Sequence, residues 1–409
     1  MSANLLSAHA AAASSLFDQP AFDQLLQQLA SEFAATAAEH DRDGSFPHQN
    51  FERLHQHGLL SLTVPHFAGG HAATLAQTRR VIGAVAYGDP STALVLSMQY
   101  LQHAANSRTA RWPTQLYRQV ATEAVRDGAL INALRVEPEL GTPARGGLPA
   151  TVARRVPQGW CISGRKIYST GIPRLTWLNV WARSDDAQPL VGSWLVHRDT
   201  PGVSVVENWD HLGMRATGSH EVIFDDVLVP AEHAVDVAPA NSQPDIDPTT
   251  LLWSAVLLGA IYDGVARAAR DWLVDWLQNR VPANLGTPLA SLPRFQEAVG
   301  QIDAWLLSNR LLLDAAAANT RVASDDSGRI KYLVTTQAIA VVEKAIEISG
   351  NPGLSRNNAL ERHYRNVLCS RIHTPQNDSI LINAGRIALL GPQTGSLVAP
   401  AQTSPVRVA

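Results

Sequence analysis

Apolar side chains recur at three- and four-residue steps in the first quarter of the chain, with polar residues between them. The apolar positions that share one helix face are Phe22, Leu25, Leu26, Leu29 and Phe33. This spacing is typical of an amphipathic helix, and Pro20 suits its first turn. A longer apolar pattern follows over Val81–Asn106. The pattern therefore predicts a helical N-terminal domain over residues 1–128.

The pattern changes over residues 129–246. Short segments rich in aromatic and β-branched residues, such as Trp177–Trp181 and Val222–Phe224, alternate with turn residues such as Pro201 and Gly202. Short apolar segments of this kind, separated by turns, indicate an antiparallel β domain and not an alternating β-α-β array.

The helical pattern returns over residues 247–390. Three long segments, Leu251–Trp276, Phe295–Asn319 and Tyr332–Ser349, are rich in alanine and leucine and almost free of proline. Several such segments joined by modest loops predict a helical bundle. Residues 391–409 carry Gly, Pro, Ser and Thr, and we expect an irregular tail there.

Composition narrows the class of protein. The chain has 409 residues, 45% of them hydrophobic, and a net charge of −3. A slight acidic balance argues against binding nucleic acid or an anionic membrane, which requires a basic excess. Two cysteines are too few for a disulfide framework.

The first Lys or Arg is Arg42, so the charged start of a signal peptide is missing, and no run of 18 apolar residues occurs. We expect a soluble cytoplasmic protein.

Several familiar catalytic motifs are missing from the sequence. No G-x-G-x-x-G follows a predicted strand, and no P-loop, H-E-x-x-H, G-x-S-x-G or C-x-x-C occurs. The sequence therefore gives no support to a nicotinamide-binding fold, a serine hydrolase or a cysteine metal site.

Three polar constellations remain, and their order along the chain is informative. They are the segments 38–47 with 58–65, 135–141 with 164–171, and 209–219 with 220–230. Together, from Phe22 to Leu390, they resemble the acyl-CoA dehydrogenase superfamily of flavoproteins. The resemblance implies a mainly helical α+β fold, with a helical N-terminal domain, a central antiparallel β-barrel and a C-terminal four-helix bundle. It also implies bound FAD, with FMN as the alternative, and a homotetramer.

The resemblance assigns the flavin ring to the β domain. It places Leu134, Val136 and Thr142 on a loop that touches flavin and substrate, and it places Tyr168-Ser169-Thr170 on the strand that covers the ring. An isoalloxazine needs hydrogen-bonding groups at its edge and an aromatic side chain against its face, and a tyrosine with two hydroxyls supplies both. The alternative is a structural tyrosine followed by two ordinary strand hydroxyls. Val136 stands where the family often has threonine.

The resemblance assigns the dinucleotide half of the cofactor to the helical bundle. Arg280 matches an arginine that grips the pyrophosphate of a neighbouring subunit's FAD, because a planar guanidinium donates two hydrogen bonds at once. The other cofactor residues implied by the resemblance are Phe295, Gln296, Glu347, Gly350, Asn351 and Gln376. The glycine loop Glu347–Gly353 has a plain alternative as the end of a helix.

The base that acyl-CoA dehydrogenases use to remove a proton from the substrate is absent from both of its usual places. At the first, this sequence has Thr374, preceded by His373; at the second, the helix segment Leu251–Gly259 has no carboxylate. The segment Ile372-His-Thr-Pro375 instead resembles that of flavin monooxygenases such as dibenzothiophene monooxygenase. In that branch a separate reductase supplies reduced flavin, and a histidine near the flavin assists the reaction with oxygen. The resemblance makes His373 the active-site acid or base, since the imidazole pKa lies near working pH. A lone histidine is, however, often only structural.

Four further residues are candidates for lining the substrate pocket. Gln99, Tyr100 and His103 lie on the apolar helix before the β domain, where Tyr100 and His103 share a face. They could equally be core or interface residues. Thr374 is the fourth candidate, because it stands at the position of the missing base.

These observations favour a flavin-dependent oxidoreductase, specifically a two-component monooxygenase that uses reduced flavin and O2 on a small organic substrate. One alternative is an acyl-CoA dehydrogenase with a displaced base. The other is an inactive scaffold subunit with the same fold. The expected partners are a small-molecule substrate, further copies of the chain, and a separate flavin reductase or an electron-transfer flavoprotein.

Overall fold

A computed structural model describes residues 17, 19–141, 147–242, 247–318, 322 and 324–391. Thr142, which the sequence assigned to the flavin loop, and all but the first residue of the tail 391–409 lie outside the described residues. The described part contains ten α-helices and eight β-strands. The prediction of a mainly helical α+β chain is confirmed.

The N-terminal part is helical, as its apolar spacing indicates. Its helices are α1 (Pro20–Asp43), α2 (His48–Gln56), α3 (Leu75–Gly88), α4 (Pro90–Thr109) and α5 (Thr114–Arg126). Local chemistry sets their ends. Thr74 and Gln77 form a reciprocal capping box at the start of α3. The buried carboxylate of Asp89 accepts hydrogen bonds from the amides of Ser91 and Thr92 and so begins α4.

The middle part is one eight-stranded sheet. Its strands are β1 (Leu130–Leu134), β2 (Val152–Val156), β3 (Gly159–Lys166), β4 (Leu175–Ser184), β5 (Leu190–His197), β6 (Val203–Val206), β7 (Glu221–Val229) and β8 (Ala234–Pro239). Seven of them follow the order β6-β7-β3-β2-β4-β5-β8, and β1 pairs with β4 outside this path.

The prediction of a closed antiparallel barrel is wrong in two respects. The sheet is open: within the described residues, edge strand β6 pairs with β7 alone and edge strand β8 pairs with β5 alone. Strand β4 also runs parallel to both β1 and β2. These parallel pairings join strands that are distant along the chain, so local turn signals could not reveal them.

The C-terminal part is a helical bundle. Its helices are α6 (Pro248–Asn279), α7 (Pro293–Ala318), α8 (Ser324–Ser349), α9 (Leu360–Leu368) and α10 (Asn377–Leu390). Helix α6 packs against α3, α4, α7, α8 and α9, so one core unites the two helical parts. In the described part of the chain, α6 is the helix long and apolar enough to cross a membrane, and 78% of its most apolar window is buried inside the protein.

A loop from the sheet contacts both helical parts, and we call Trp209–Gly218 the crossing loop. The amide of Met214 donates to the side-chain oxygen of Asn366 in α9, at 2.7 Å. The guanidinium of Arg215 donates to the carbonyl of Asp41 in α1, at 2.6 Å. Gly213 is required at its position, because a Cβ there would lie 2.3 Å from the Arg365 carbonyl oxygen. The crossing loop thus fixes the sheet against the helices.

Candidate functional site

A chain of hydroxyl groups lies where the sheet faces the helices. Ser219 Oγ lies 3.0 Å from Thr170 Oγ1 and 2.8 Å from Thr217 Oγ1. Thr217 in turn donates to the carbonyl of Met214 in the crossing loop, at 2.9 Å. Asn132 donates to the Thr170 carbonyl, at 3.0 Å. Thr170 is half-buried, so it presents a polar edge whose position is fixed by its neighbours.

The ends of β1 and β3 meet beside this chain of hydroxyls. The Ile167 amide donates to the Val136 carbonyl, at 3.0 Å, so the structure brings Val136 together with Tyr168, Ser169 and Thr170. The Ser169 hydroxyl is buried and has no hydrogen-bond partner among the described residues. Leu134 is 1% exposed, so its side chain belongs to the core. Only its backbone can contact a ligand.

Tyr168 belongs to a cluster of three aromatic rings, of which Tyr168 and His211 are exposed and Trp209 is half-buried. Its ring meets those of Trp209 and His211 edge to face, and those two rings stack on each other with their centroids 3.7 Å apart. Tyr168 is half exposed and has a positive φ of 57°. That conformation is uncommon outside glycine and is retained here at the sheet edge beside the crossing loop.

Arg135 follows β1 at this edge of the sheet. Its side chain is exposed, and desolvation by the surrounding protein lowers the pKa of its guanidinium. Next to it, Glu137 and Lys166 form a buried ion pair at 2.7 Å. The hydrogen bonds from Lys166 and Thr151 hold the pKa of Glu137 below its usual value, although burial acts in the opposite direction.

His373 follows helix α9 and is half-buried. Its Nε2 lies 2.5 Å from the hydroxyl of Tyr262, which is fully buried in helix α6. Burial, and to a smaller degree the positive charge of Lys331, lower the pKa of His373 to about 4. The imidazole is therefore neutral at pH 7.

Tyr262 also determines which imidazole nitrogen carries the hydrogen. Burial raises the pKa of the Tyr262 hydroxyl well above its usual value, so it stays protonated. Among the described residues, His373 Nε2 is its hydrogen-bond partner. The hydroxyl therefore donates to Nε2, and the neutral ring carries its hydrogen on Nδ1. Nδ1 makes no hydrogen bond with the described residues, so it is a free donor.

Lys331 of helix α8 holds the backbone around His373. Its side chain is fully buried, and Nζ donates to the carbonyls of His373 and Pro375, both at 2.8 Å. A weaker contact joins Nζ to Asn377 at 3.4 Å. Burial lowers the pKa of Lys331 to about 8. Because an ammonium group has three hydrogen-bond donors, one side chain can hold the whole turn.

Within the described residues, no Asp or Glu bonds to His373 or contributes to the shift of its pKa. Two carboxylates, Glu343 and Asp378, line a cavity beside the same turn. The exposed Thr374 occupies the place that the resemblance assigns to the base, and a threonine cannot accept a proton from a carbon acid at neutral pH. His373 therefore offers a hydrogen-bond donor and not a strong base.

The three candidates on α4 lie inside the protein. The amide of Gln99 donates to the carbonyls of Leu60 and Ala129, and its oxygen accepts from the Ile131 amide. The Tyr100 hydroxyl donates to the Leu59 carbonyl, at 2.6 Å. These contacts serve to join α4 to the start of the sheet.

His103 is the exception among these candidates. It is 1% exposed, and neither of its ring nitrogens has a partner among the described residues. Burial lowers its pKa to about 4. It remains a candidate for the pocket, although no contact joins it to His373.

The structure places the predicted dinucleotide residues on another part of the bundle. Arg280, at the end of α6, and Gln296, Glu347, Gly350 and Asn351 are exposed, whereas Phe295 is 2% exposed and packs in the core. Glu347 lies 16 residues from Lys331 along α8, which is about 24 Å along the axis at 1.5 Å per residue. Gln376, at the start of α10, belongs to the His373 turn instead. One subunit therefore does not bring Arg280 or Glu347 to His373.

Sequence reasoning missed Tyr262 and Lys331. Both lie within long apolar helical patterns, where a polar residue reads as an ordinary interruption. Lys331 did carry a signal, since the chain has only three lysines, Lys166, Lys331 and Lys344. Two of the three, Lys166 and Lys331, are fully buried. Both make specific polar contacts inside the protein.

The residues fit the flat ring system that the resemblance implies. The sheet edge supplies the fixed hydroxyl of Thr170 and the unpartnered buried hydroxyl of Ser169. The helical side supplies His373 Nδ1. Hydroxyls at the sheet edge and a donor on the helical side are the kinds of group that a ligand with a hydrogen-bonding rim requires.

Comparison with protein families identifies three matching domains. The family description of the acyl-CoA dehydrogenase N-terminal domain matches residues 18–110, that of the middle domain matches residues 135–227, and that of the C-terminal domain matches residues 256–377.

Three individual proteins illustrate the similarity. The Bacillus subtilis protein YdbM, which carries an acyl-CoA dehydrogenase name, is 32% identical over 87% of this chain and 93% of its own length. L-evernosamine nitrososynthase of Micromonospora sp. is 32% identical over 84% of this chain and 83% of its own length. The structure of KijD3 in complex with FMN and a dTDP-linked amino sugar superposes with a TM-score of 0.79, at 28% identity, over 93% of this chain and 96% of KijD3.

Proposed function

The chain belongs to the acyl-CoA dehydrogenase family, and within that family we propose that it is a soluble, cytoplasmic two-component monooxygenase. It is a flavin-dependent oxidoreductase, and its relatives fit FAD, with FMN as the alternative. In the proposed reaction a separate reductase supplies reduced flavin, and one oxygen atom of O2 enters a small organic substrate. The observation that carries this proposal is the donor at His373 Nδ1, next to a threonine at the position of the family's carboxylate base.

Dehydrogenation of an acyl-CoA would require a different site. Removing a proton from carbon needs a positioned base whose pKa suits the task. The His373 imidazole has a pKa of about 4, so it is a weak base. Its free nitrogen also already carries hydrogen, because Tyr262 donates to the other nitrogen.

A hydrogen-bond donor suits oxygen chemistry better. A reduced flavin, when bound, supplies the electrons that activate O2. Negative charge then develops on oxygen, and a fixed donor in a water-poor site stabilises such charge. His373 Nδ1 is that donor, Tyr262 fixes its hydrogen, and Lys331 fixes its backbone. His373 thus acts by holding a hydrogen bond, which refines the acid or base role expected from the sequence.

We further propose that the oxidised atom is the nitrogen of a primary amine. The support is the relatives: a nitrososynthase, by its name, acts on the nitrogen of an amino sugar, and KijD3 was solved with an amino sugar nucleotide. The neutral imidazole of His373 and the exposed Thr374 hydroxyl add no negative charge that would hold such an amine protonated. An unprotonated amine has the lone pair that oxygen transfer needs.

The test compares two reactions of the same purified protein. In air, the protein receives flavin reduced by a purified flavin reductase together with a panel of primary amines, including amino sugar nucleotides. Oxygen uptake and oxidised products are measured by electrode and mass spectrometry. Without air, the oxidised flavin-loaded protein receives acyl-CoAs of several lengths, and flavin absorbance is followed.

Amine-dependent product formation that is lost in H373A supports the proposal. The matched control is H363A, which removes another buried histidine of the same segment. Bleaching of the flavin by an acyl-CoA, with no product from any amine, would instead assign the protein to the dehydrogenases. If the protein bound neither FAD nor FMN, it would be assigned as an inactive scaffold subunit.

We also propose that the chain assembles as a homotetramer. Apolar side chains on α10 that are 69–85% exposed in the single chain support an interface there: Ile382, Leu389 and Leu390. Light scattering of the purified protein gives the mass in solution. A monomer, or an L389E/L390E variant with unchanged mass, would reject this assembly. The oxygen assay also tests the partner protein: the proposed reaction requires a flavin reductase, and activity that depends instead on an electron-transfer flavoprotein would contradict it.

A further inference from the structure

A basic cavity lies where the end of α1, the crossing loop and the start of α9 meet. Its volume is about 380 Å³, within the range of ligand sites in proteins. Five arginines line it: Arg42, Arg215, Arg356, Arg362 and Arg365. Two carboxylates, Asp41 and Glu361, also line it. Two of the arginines pair with carboxylates just outside the lining: Arg42 with Asp43 and Arg215 with Asp210.

Arg362 is the exceptional member of this set. It is 8% exposed, and it makes no hydrogen bond and no ion pair with the residues that the structure describes. Desolvation lowers the pKa of its guanidinium, and Asp41, Asp89 and Glu361 offset this only from a distance. A largely buried charge without a paired carboxylate is unfavourable, because burial removes part of its hydration.

The nearby carboxylates are already occupied by Arg365. Its guanidinium holds Asp41 through two hydrogen bonds of 2.6 and 3.0 Å. It holds Glu361 through two more, of 2.8 and 3.0 Å. Arg365 thus takes both oxygens of each carboxylate. Arg362 and Arg356 line the cavity without a hydrogen-bonded carboxylate among the described residues.

We infer that this cavity binds a phosphate group, with a diphosphate as the preferred form. A planar guanidinium donates paired hydrogen bonds to phosphate oxygens, and several arginines around one recess recur in phosphate sites. A diphosphate could accept hydrogen bonds from Arg356 and Arg362 together, because its two phosphate groups carry more acceptor oxygens than one carboxylate does. The ligand would supply the partner that Arg362 lacks. The inference does not rest on the proposed reaction, because neither His373 nor Thr170 lines this cavity.

The test uses the full-length, flavin-loaded protein and two probes. Inorganic pyrophosphate tests for a free anion, and adenosine diphosphate tests for a phosphate ester. Binding is followed by titration calorimetry, and also by tryptophan fluorescence, because His211 lines the cavity and stacks on Trp209. Flavin absorbance and release are recorded throughout, so that displacement of the cofactor is detected.

The variants separate the site from general charge. R362M removes the buried charge, R362K keeps a charge without the planar fork, and R356Q removes the other unpaired arginine. R154Q is the matched control, because Arg154 is an exposed arginine on strand β2 outside the cavity. Loss of one charge-assisted contact predicts about ten- to hundredfold weaker binding for R362M. We expect a smaller loss for R362K and R356Q, and no change for R154Q.

Thermal unfolding gives a second readout that does not depend on affinity. Without ligand, R362M should unfold at the same or a higher temperature than the parent, because it removes an uncompensated buried charge. Pyrophosphate should stabilise the parent and not R362M, since a ligand stabilises only the state that binds it.

Three outcomes would overturn the inference. They are no saturable binding of either probe, equal binding by the parent and R362M, and release of flavin in step with pyrophosphate binding. The last would place the anion in the flavin site. Should R362M fail to fold, R362K and R356Q decide the question. Preference for adenosine diphosphate over pyrophosphate would identify a nucleotide ester as the ligand, and the reverse a free anion.

Discussion

Two regions of the helical bundle differ in how completely one subunit builds them. Around His373, buried side chains from α6 and α8 determine the position of the ring, its hydrogen and its backbone. Elsewhere in the bundle, Glu347 and Asn351 at the end of α8 and Arg280 at the end of α6 are exposed. The contacts that fix His373 therefore come from one chain. The end assigned by resemblance to the dinucleotide is an open surface, consistent with a role for a neighbouring subunit.

The largest effect should come from removing the donor itself. We expect H373A to lower kcat by about 100- to 1,000-fold, the usual cost of deleting one donor to a developing oxygen anion. Flavin binding should remain within about threefold, because the hydroxyls of the sheet edge are untouched. H373N, whose amide can donate from nearly the same place, should recover part of the rate. Equal rates for H373A and the parent would remove His373 from the reaction.

Loss of the buried ammonium should have the next largest effect. K331M leaves the carbonyls of His373 and Pro375 without their donor, and we expect about tenfold lower kcat and a loss of about 1–3 kcal/mol in the free energy of unfolding. Rate and urea unfolding are measured on the same samples. K344M is the control, because Lys344 contacts only an exposed glutamate. If K331M changed stability but not kcat, Lys331 would hold the fold and not the site.

Removing the Tyr262 hydroxyl should change which nitrogen of the His373 imidazole carries the hydrogen. Y262F frees His373 Nε2, so the ring can adopt the other tautomer, and we expect kcat to fall by about five- to tenfold. The neutral ring also loses a stabilising hydrogen bond, so the pKa of His373 should rise from about 4. The acidic limb of the pH–rate profile should then move to higher pH. An unchanged profile would contradict the assigned tautomer.

The buried histidines also predict how stability depends on pH. Burial lowers the pKa of His103 to about 4 and that of His363 to about 3. Between these values and the unfolded value of about 6.5, the unfolded chain binds more protons, so stability falls as the pH falls from about 6.5 towards 4. Each histidine contributes at most about 1.4 kcal/mol per pH unit. Replacing His103 with Gln should flatten this dependence in melts at pH 4.5–7.5, whereas replacing the exposed His57 should not.

The smallest effect on the isolated chain should come from the open surface. R280Q should change the free energy of unfolding by no more than about 0.5 kcal/mol, as expected for an exposed side chain. If the dinucleotide half of FAD lies there, R280Q should weaken FAD binding and leave FMN binding unchanged. Titration of both cofactors, followed by flavin fluorescence, gives the answer. If R280Q weakened the binding of FAD and of FMN equally, Arg280 would lie near the flavin ring. The His373 region and the exposed surface would then not differ in the way described.

The sequence was sufficient for those parts of the molecule that local pattern controls. The spacing of Phe22 to Phe33 marks a helix that exists, and the short aromatic segments around Trp177 mark real strands. The open sheet was not predictable in this way, because the pairing of β1 with β4 joins residues far apart in sequence. For the same reason Tyr262, 111 residues from His373, could not be assigned to it. The segment around His373 was identifiable only because it resembles a known motif.

The contact between Gly213 and the Arg365 carbonyl has a consequence for how such enzymes could diverge. Even one added methyl group at Gly213 would force the crossing loop away from helix α9. A substitution at Gly213 would therefore increase the distance between the sheet and the helices. Evolution towards larger substrates could act at this glycine as well as at residues that line the pocket.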